Sequence, residues 1–189
     1  MKKQSTLLYV LRLAVTLLLI TAITAGALAW VNSITEDRIA AEKAKKTAEA
    51  LSAVLSDAAD ASQLEEYPND SGIVTAVYQS ETGYAVQVAP TGFGGTITMM
   101  VGVDKDGNVL GVSVVSHTET AGLGAVAGDK TSKGEAFRDQ FVGMSGELAV
   151  TKDGGAVDSI SGATITSRAV TEGVNAAIEC AAALTAAQG

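Results

Sequence analysis

The sequence is poor in the side chains that most often bind metals. Its 189 residues include one cysteine, Cys180, and one histidine, His117. A single thiol excludes an internal disulfide and an iron–sulfur cluster held by thiolates of this chain alone. One histidine gives little support to a histidine-based zinc site, so we expect no bound metal. Any redox role therefore requires another cofactor.

Basic residues are also few. The sequence has 13 Lys and Arg against 21 Asp and Glu, a formal net charge of -8. Three of the basic residues, Lys2, Lys3 and Arg12, precede residue 13 in a segment without acidic residues. The rest of the chain keeps 10 basic residues against 21 acidic ones, so it should repel nucleic acid rather than bind it.

One uncharged apolar stretch, residues 13–31, follows these basic residues. At about 1.5 Å per residue it is long enough to cross a hydrocarbon layer of roughly 30 Å. We predict a single-pass transmembrane helix in the cell (inner) membrane, with residues 1–12 cytoplasmic because positive charge favours that side, and an extracytoplasmic main domain. A cleaved signal peptide is the alternative, since Ala27-Leu28-Ala29 resembles a cleavage site, but the length of the apolar run favours the anchor.

Residues 32–71 are predicted to be a helical stalk and a linker. Charged side chains alternate with alanines over 33–55, which predicts a helix leading away from the membrane with its charges exposed. Residues 56–71 are rich in Asp, Glu and Asn, the composition of a solvated linker. We place the boundary of the last domain there, so that this domain spans 72–189.

Four short segments of that domain are rich in Val, Ile, Thr and Tyr, with turn residues between them: IVTAVYQ, YAVQVAP, TITMMVGVD and VLGVSVVS. They predict four antiparallel strands. The acidic and amide residues of 104–108 could suggest a calcium loop. Val109 and Val115 stand where such a loop needs glycine and glutamate, so a hairpin turn at Asp106-Gly107 is favoured.

Helical spacing returns after the strands. Phe137 and Phe141 predict a short helix within 133–143 that packs both rings on the core, and 147–152 could form a further strand. A last helix, with Cys180 as a buried and inert thiol, is predicted by the apolar repeat Val170, Val174, Ala177, Ile178, Ala181 and Leu184. The predicted fold class is α+β, with one N-terminal transmembrane helix and an antiparallel-sheet domain packed with helices.

A glycine-rich loop begins at His117. The spacing of three glycines, Gly122, Gly124 and Gly128, resembles the glycine pattern of dinucleotide-binding sites. Neither an amphipathic helix nor a second parallel strand ending in an acidic residue follows it, as such a site would need. A Rossmann site is therefore not favoured. Such a loop can still line a flat ligand through its backbone groups.

The strongest signal for chemistry is the stretch 158–168, DSISGATITSR, just before the most helix-prone segment of the predicted water-soluble part. A helix start has unpaired N–H groups and a partial positive charge, so it can receive a phosphate. Hydroxyl side chains also cap helices. Two interpretations stay open at this point: a phosphate site, or a simple helix cap made by Thr164, Thr166 or Ser167.

These features together resemble a known family. The chain is similar to the extracytoplasmic flavin-bearing subunits of bacterial respiratory ion pumps, most closely the G subunit of the Rnf complex and next the C subunit of the sodium-pumping NADH:quinone reductase. The resemblance covers nearly the whole chain and includes the anchor, Gly92-Phe93-Gly94-Gly95 before a strand, the turn at Asp106-Gly107, the loop 117–124 and the motif ending in Thr164.

The resemblance implies particular site residues. In the family, a pattern of Asp, two variable residues, Ser or Thr, Gly, Ala and Thr marks where a flavin transferase attaches FMN through a phosphodiester to the final threonine. Thr164 would carry the FMN, and the pattern is matched without departure by Asp158, Ser161, Gly162, Ala163 and Thr164. Thr166 and Ser167 would support the phosphate or the turn. The loop 117–124 differs from the family at one position, where Ala121 replaces the usual proline. The loop residues expected to surround the flavin are Glu119, Thr120, Gly122, Leu123 and Gly124.

The implied function is electron transfer by covalently bound FMN in a membrane-bound, ion-translocating ferredoxin:NAD oxidoreductase. The chain would have no catalytic residues of its own and would not be an enzyme alone. Its partners would be the other proteins of the complex and a flavin transferase for maturation. The alternatives are a membrane-anchored flavin-binding sensory or ligand-binding module, a C subunit of the sodium pump, and a surface domain without a cofactor.

Overall fold

A computed structural model describes residues 2–188 of the chain. The first helix, α1, spans Lys2–Val54, so it includes both the predicted transmembrane segment and the helix predicted after it. Ser33 and Thr35 return hydrogen bonds to carbonyl groups of the preceding turn, and no helix-breaking residue interrupts the junction. An 18-residue window of this helix has a mean hydropathy of 2.1 and is not buried, which suits a membrane span by length and composition.

The chain divides between Lys45 and Lys46 into two compact units. The second unit contains one antiparallel sheet whose strands follow in chain order: β1 (Ser62–Leu64), β2 (Val74–Gln79), β3 (Gly83–Val88), β4 (Thr98–Asp104) and β5 (Val109–Ser116). Strands β2 to β5 are the four predicted strands. The α+β class is therefore confirmed.

Strand β1 was not predicted. It lies within 56–71, where the composition indicates a solvated linker, and it pairs with β2 through Ser62 opposite Gln79 and Leu64 opposite Val77. Three residues are too few to show a strand period in the sequence. The strand forms because the edge of β2 offers unpaired backbone groups that a short segment can satisfy.

The last helix, α3, spans Thr164–Gln188 and covers one face of the sheet. All the predicted stripe residues are buried against strand residues such as Val88 and Met99. Cys180 is buried in the same cluster, and desolvation raises the pKa of its thiol to about 11, which agrees with an inert thiol.

The other face of the sheet is covered by the end of α1. Ala50, Val54 and Leu55 pack with Ala85 and Met100. Because both faces are covered, β3 is buried at almost every position rather than at alternate ones. This explains why its sequence lacks a clear polar side.

Two other predictions concern the segment between β5 and α3. Helix α2 spans Ser132–Asp139, and Phe137 and Phe141 are both buried with their rings edge to face at 5.7 Å, as predicted. The strand predicted over 147–152 is wrong. Thr151–Asp153 forms a 3-10 turn instead, and the chain reverses at Gly154, whose φ of 86° favours glycine.

The turn between β4 and β5 is the predicted hairpin. The Asp104 carboxylate accepts hydrogen bonds from the backbone N–H groups of Asp106 (2.9 Å) and Asn108 (2.8 Å) and from the Asn108 side chain (2.9 Å). Both carboxylate oxygens of Asp104 therefore accept hydrogen bonds within the turn and stabilise it. Desolvation opposes ionisation of Asp104, but these hydrogen bonds outweigh it and lower its pKa.

Candidate functional site

A cavity of about 380 Å³ lies where the Gly92–Gly95 turn, the loop 117–124 and the start of α3 meet. This volume lies within the usual range for small-molecule sites, and most of the lining is apolar. The cavity brings together eight of the residues predicted from the sequence: Glu119, Thr120, Leu123, Gly124, Gly162, Ala163, Thr164 and Thr166. Phe93 and Ile165 complete the lining. Neither was predicted as a site residue, although Phe93 belongs to the segment 92–95 that contributes to the family resemblance.

The start of α3 has no hydroxyl cap. The helix begins at Thr164, and the carbonyl of Ala163 accepts its first hydrogen bond, from the N–H of Ser167 at 3.0 Å. Ala163 therefore occupies the N-cap position, where alanine has no oxygen to offer. Because Thr164, Thr166 and Ser167 lie inside the first turn, the interpretation of any of them as the helix cap is wrong.

Two hydroxyl groups of this first turn stabilise the surrounding loops. Thr166 Oγ1 donates to Glu119 Oε2 at 2.6 Å, while Ser167 Oγ donates to the carbonyl of Ala163 and accepts from the N–H of Ile160, both at 3.0 Å. Both side chains are buried. Two alternative roles are predicted for Thr166 and Ser167, to support the phosphate or to support the turn. Their contacts fit support of the turn.

The backbone at the helix start remains available to a ligand. Within residues 2–188, no protein acceptor pairs with the N–H groups of Thr164, Ile165 or Thr166. Gly162, with a φ of 76°, makes the turn that precedes them, and Leu123 packs over it. Three unpaired donors at the positive end of a helix of 25 residues favour an anionic group.

Glu119 joins the walls of the cavity. Glu119 is only 9% exposed, and its second oxygen, Oε1, accepts from the N–H of Gly94 at 2.8 Å. Thr118 Oγ1 donates to the carbonyl of Gly94 at 2.9 Å and strengthens the same junction. A side chain at Gly92 or Gly124 would collide with the Glu119 carboxylate. The glycines thus allow a buried carboxylate to hold three segments together.

Three exposed apolar side chains line the same cavity as Thr164. Phe93 at the tip of the Gly92–Gly95 turn is 71% exposed, Ile165 is 51% exposed and Leu123 is 44% exposed. Large apolar side chains grouped at the mouth of a cavity indicate a binding surface. The signal for Phe93 in the sequence is an aromatic residue among glycines, in the segment GFGG.

A cation contacts the hydroxyl of Thr164. Lys152 Nζ donates to Thr164 Oγ1 at 2.7 Å. Lys152 lies on the 3-10 turn Thr151–Asp153, and this turn is tied to α3 by Arg168, whose guanidinium binds both carboxylate oxygens of Asp153 at 2.6 and 2.7 Å. The hydrogen bond from Arg168 lowers the pKa of Asp153, with the charges of Arg168 and Lys152 adding to it and desolvation opposing it.

Four predicted residues do not line this cavity. One of them, Ser167, is buried in the first turn of α3. Asp158, Ser161 and Gly122 line a neighbouring cavity of about 530 Å³. The backbone of Asp158 is fixed by the Gln140 side chain, which accepts from its N–H at 2.7 Å and donates to its carbonyl at 3.2 Å. Gln140 therefore anchors the segment that leads to Thr164 at Asp158, and it is a supporting residue that the sequence did not reveal.

Comparisons with known proteins identify the family of the domain that contains this cavity. Residues 92–179 match the FMN-binding domain family and residues 1–54 match the RnfG N-terminal region. Every residue that lines the 380 Å³ cavity lies within the first of these matches. The chain is 32% identical to the G subunit of the ion-translocating oxidoreductase complex of Methanosarcina acetivorans, over 89% of this chain and 92% of that protein.

Two further relatives are similar over most of their length. The G subunit of the Na(+)-translocating ferredoxin:NAD(+) oxidoreductase complex of Acetobacterium woodii is 34% identical over 90% of each chain. The G subunit of the ion-translocating oxidoreductase complex of Stutzerimonas stutzeri is 34% identical over 93% of this chain and 82% of that protein. The similarity therefore includes both the N-terminal helix and the domain that contains the cavity.

Proposed function

This chain belongs to the family of G subunits of ion-translocating oxidoreductase (Rnf) complexes, and we propose that it carries FMN bound covalently to Thr164 and transfers electrons within such a complex. The observation that carries the proposal is the environment of one hydroxyl group. Thr164 Oγ1 lies at an uncapped helix start, beside a lysine ammonium, in the lining of an apolar cavity of the FMN-binding domain.

The anionic part of FMN fits the start of α3. A phosphodiester retains one negative charge, and the unpaired N–H groups of Thr164, Ile165 and Thr166 are suited to an anion. Ala163 leaves the cap position without a side-chain acceptor, so a phosphate on Thr164 would serve as the cap. The cap would then be the group linked to Thr164 and not a hydroxyl of the chain itself.

The apolar part of FMN fits the cavity. Phe93, Leu123 and Ile165 offer flat or branched apolar surface to an aromatic ring system. The isoalloxazine ring supplies the electron-transfer chemistry when FMN is bound. Both oxygens of Glu119 are occupied by Gly94 and Thr166, so Glu119 keeps the walls of the site in position.

A covalent bond suits the predicted location of the domain. The family membership and the apolar part of α1 support a single-pass membrane protein. The basic residues Lys2, Lys3 and Arg12 favour a cytoplasmic N-terminus, which puts the FMN-binding domain outside the cytoplasm. A tether there prevents the loss of a cofactor by dilution.

The direct test of the linkage is the intact mass of the full chain after co-expression with a flavin transferase. Wild type should carry the added mass of FMN, Thr164→Val should lack it, and Thr185→Val should retain it because Thr185 lies on the same helix but outside the cavity. A peptide digest would assign the label to the segment containing Thr164. Equal labelling of wild type and T164V would refute the linkage.

Purification of the full chain from its native membrane in mild detergent tests the role in a complex. An electron-transfer subunit should bring several polytopic membrane proteins and an iron–sulfur protein with it. A sensory or ligand-binding flavoprotein would be isolated without them, and colourless protein from a host that has the transferase would favour a domain without FMN.

A further inference from the structure

We propose that Lys152 is the counter-cation of the phosphoryl group on Thr164 and promotes its attachment, because its ammonium group contacts the hydroxyl that becomes esterified. The proposal rests on the proposed covalent linkage and adds a positioning residue outside the sequence motif. Lys152 lies 12 residues before Thr164 and is brought to it only by the fold.

The contact leaves Lys152 with further hydrogen-bonding capacity. Its Nζ donates one hydrogen bond, 2.7 Å long, to Thr164 Oγ1, and the structure gives it no other hydrogen bond among the described residues. An ammonium group has three N–H donors, so two remain for oxygens of a phosphate on the same hydroxyl. Such bonds join a cation to an anion and are stronger than bonds between neutral groups.

The turn that carries Lys152 is fixed by its own hydrogen bonds. The N–H groups of Asp153 and Gly155 both donate to the carbonyl of Val150, at 2.8 and 3.0 Å, and the N–H of Thr151 donates to Val157 at 2.8 Å. Val150 and Val157 are buried, so the base of the turn belongs to the domain core. The backbone of Lys152 is therefore held in place before any phosphate arrives.

The Asp153–Arg168 ion pair keeps Lys152 available for an anion. Asp153 is adjacent to Lys152 and carries a negative charge that would attract the ammonium group. Arg168 binds both of its carboxylate oxygens, at 2.6 and 2.7 Å, and also joins the turn to α3 one helical turn after Thr164. The competing carboxylate is thus neutralised by a second cation.

The attachment reaction is a phosphoryl transfer without any oxidation. The new bond joins Thr164 Oγ1 to the phosphorus of FMN, and the bond that breaks is the phosphoanhydride of an activated donor, a flavin dinucleotide. The nucleoside monophosphate leaves, and the hydroxyl proton passes to a base of the transferase or to water. Lys152 donates hydrogen bonds to the phosphoryl oxygens, where negative charge has to be stabilised during the transfer and in the product.

The test measures the initial rate at which purified transferase and flavin dinucleotide label the full chain in detergent. Removing one hydrogen bond to a charged group at an exposed position should slow labelling about tenfold. We expect that loss for Lys152→Gln, a rate within about threefold of wild type for Lys152→Arg, and an unchanged rate for Lys105→Gln. Lys105 is an exposed lysine in the β4–β5 turn and does not line the cavity.

A second measurement separates an electrostatic role from a structural one. The phosphorus NMR resonance of the fully labelled chain should shift in K152Q and stay in place in K105Q, while the unlabelled K152Q chain should unfold at the wild-type temperature. A wild-type chain that is not labelled at Thr164 would defeat the proposed linkage itself. Wild-type labelling with an equal rate and an unshifted resonance in K152Q would overturn only the role of Lys152, as would equal losses in K152Q and K152R.

Discussion

The clearest consequence of the site geometry concerns Glu119. Its carboxylate accepts one hydrogen bond from the N–H of Gly94 and one from the hydroxyl of Thr166, at 2.8 and 2.6 Å, and it is nearly inaccessible to solvent. Replacement of Glu119 by alanine removes both acceptors together. We expect the Gly92–Gly95 turn and the loop 117–124 to separate from the start of α3.

The magnitude follows from these two contacts. Each hydrogen bond to a charged group contributes roughly 1.5–3 kcal/mol, and the adjoining cavity lets water reach part of the vacated space. We therefore expect Glu119→Ala to lower the free energy of unfolding by about 2–4 kcal/mol. Glu119→Gln keeps one oxygen for Gly94 and has the size of the native side chain, so it should cost about 1 kcal/mol.

Urea denaturation of the full chain in detergent, followed by tyrosine fluorescence, would measure these differences. The matched control is Glu172→Ala, because Glu172 is exposed on the same helix as Thr166 and should change the free energy of unfolding by less than about 0.5 kcal/mol. Flavin attachment should fall in E119A more than in E119Q. If E119A unfolds at the same urea concentration as E172A, Glu119 does not hold the cavity walls together.

Three further predictions concern the packing and the titratable groups of the second unit. Gly173→Ala should lower the melting temperature, because a Cβ there would lie 2.5 Å from Met99 Cε and 3.1 Å from Val88 Cγ2; an unchanged value would mean that α3 can shift. Cys180 should resist iodoacetamide at pH 8 until urea is added. The folded pKa of Cys180, about 11, lies above the ordinary value of 9.0. The difference in free energy of unfolding between wild type and Cys180→Ala should therefore be constant below pH 9 and fall by about 2 kcal/mol toward pH 11. Asp104→Asn should make the free energy of unfolding depend less on pH in acid. The folded pKa of Asp104 is lowered, so its ionised carboxylate stabilises the fold at neutral pH and this stabilisation is lost as the pH falls through the folded pKa.

The fold could be predicted where a local pattern carries enough information. The β-branched segments of β2 to β5 and the apolar repeat of α3 have the periods of their structures, and each extends over at least six residues. The strand β1 and the turn Thr151–Asp153 could not be predicted, because they depend on the edge of β2 and on the ion pair of Asp153 with Arg168, 15 residues away. Local composition contains neither partner.

The residues of the candidate site also divide into those that could be predicted from the sequence and those that could not. The motif ending in Thr164 and the residues Glu119 to Gly124 could be selected from the sequence, through their pattern and their glycines. Gln140 and Lys152 could not be selected, because nothing in their own neighbourhood distinguishes them from other exposed or partly exposed polar residues. Their importance comes from the hydrogen bonds that they make with the motif.

The sequence by itself determined that this chain has an apolar N-terminal helix and a β-rich domain with a hydroxyl-rich motif before its last helix. That Thr164 of this motif carries a phosphate is what the family resemblance implies. Those properties depend on hydropathy, period and short motifs, which are local. Only the tertiary structure decided which groups surround that threonine. Thr166 meets Glu119 across 47 residues and Thr164 meets Lys152 across 12, and such contacts exist only after the sheet and α3 have packed. The helix start has an alanine at its cap, and the charge and donors that would hold an anion there come from the helix backbone and from a separate turn.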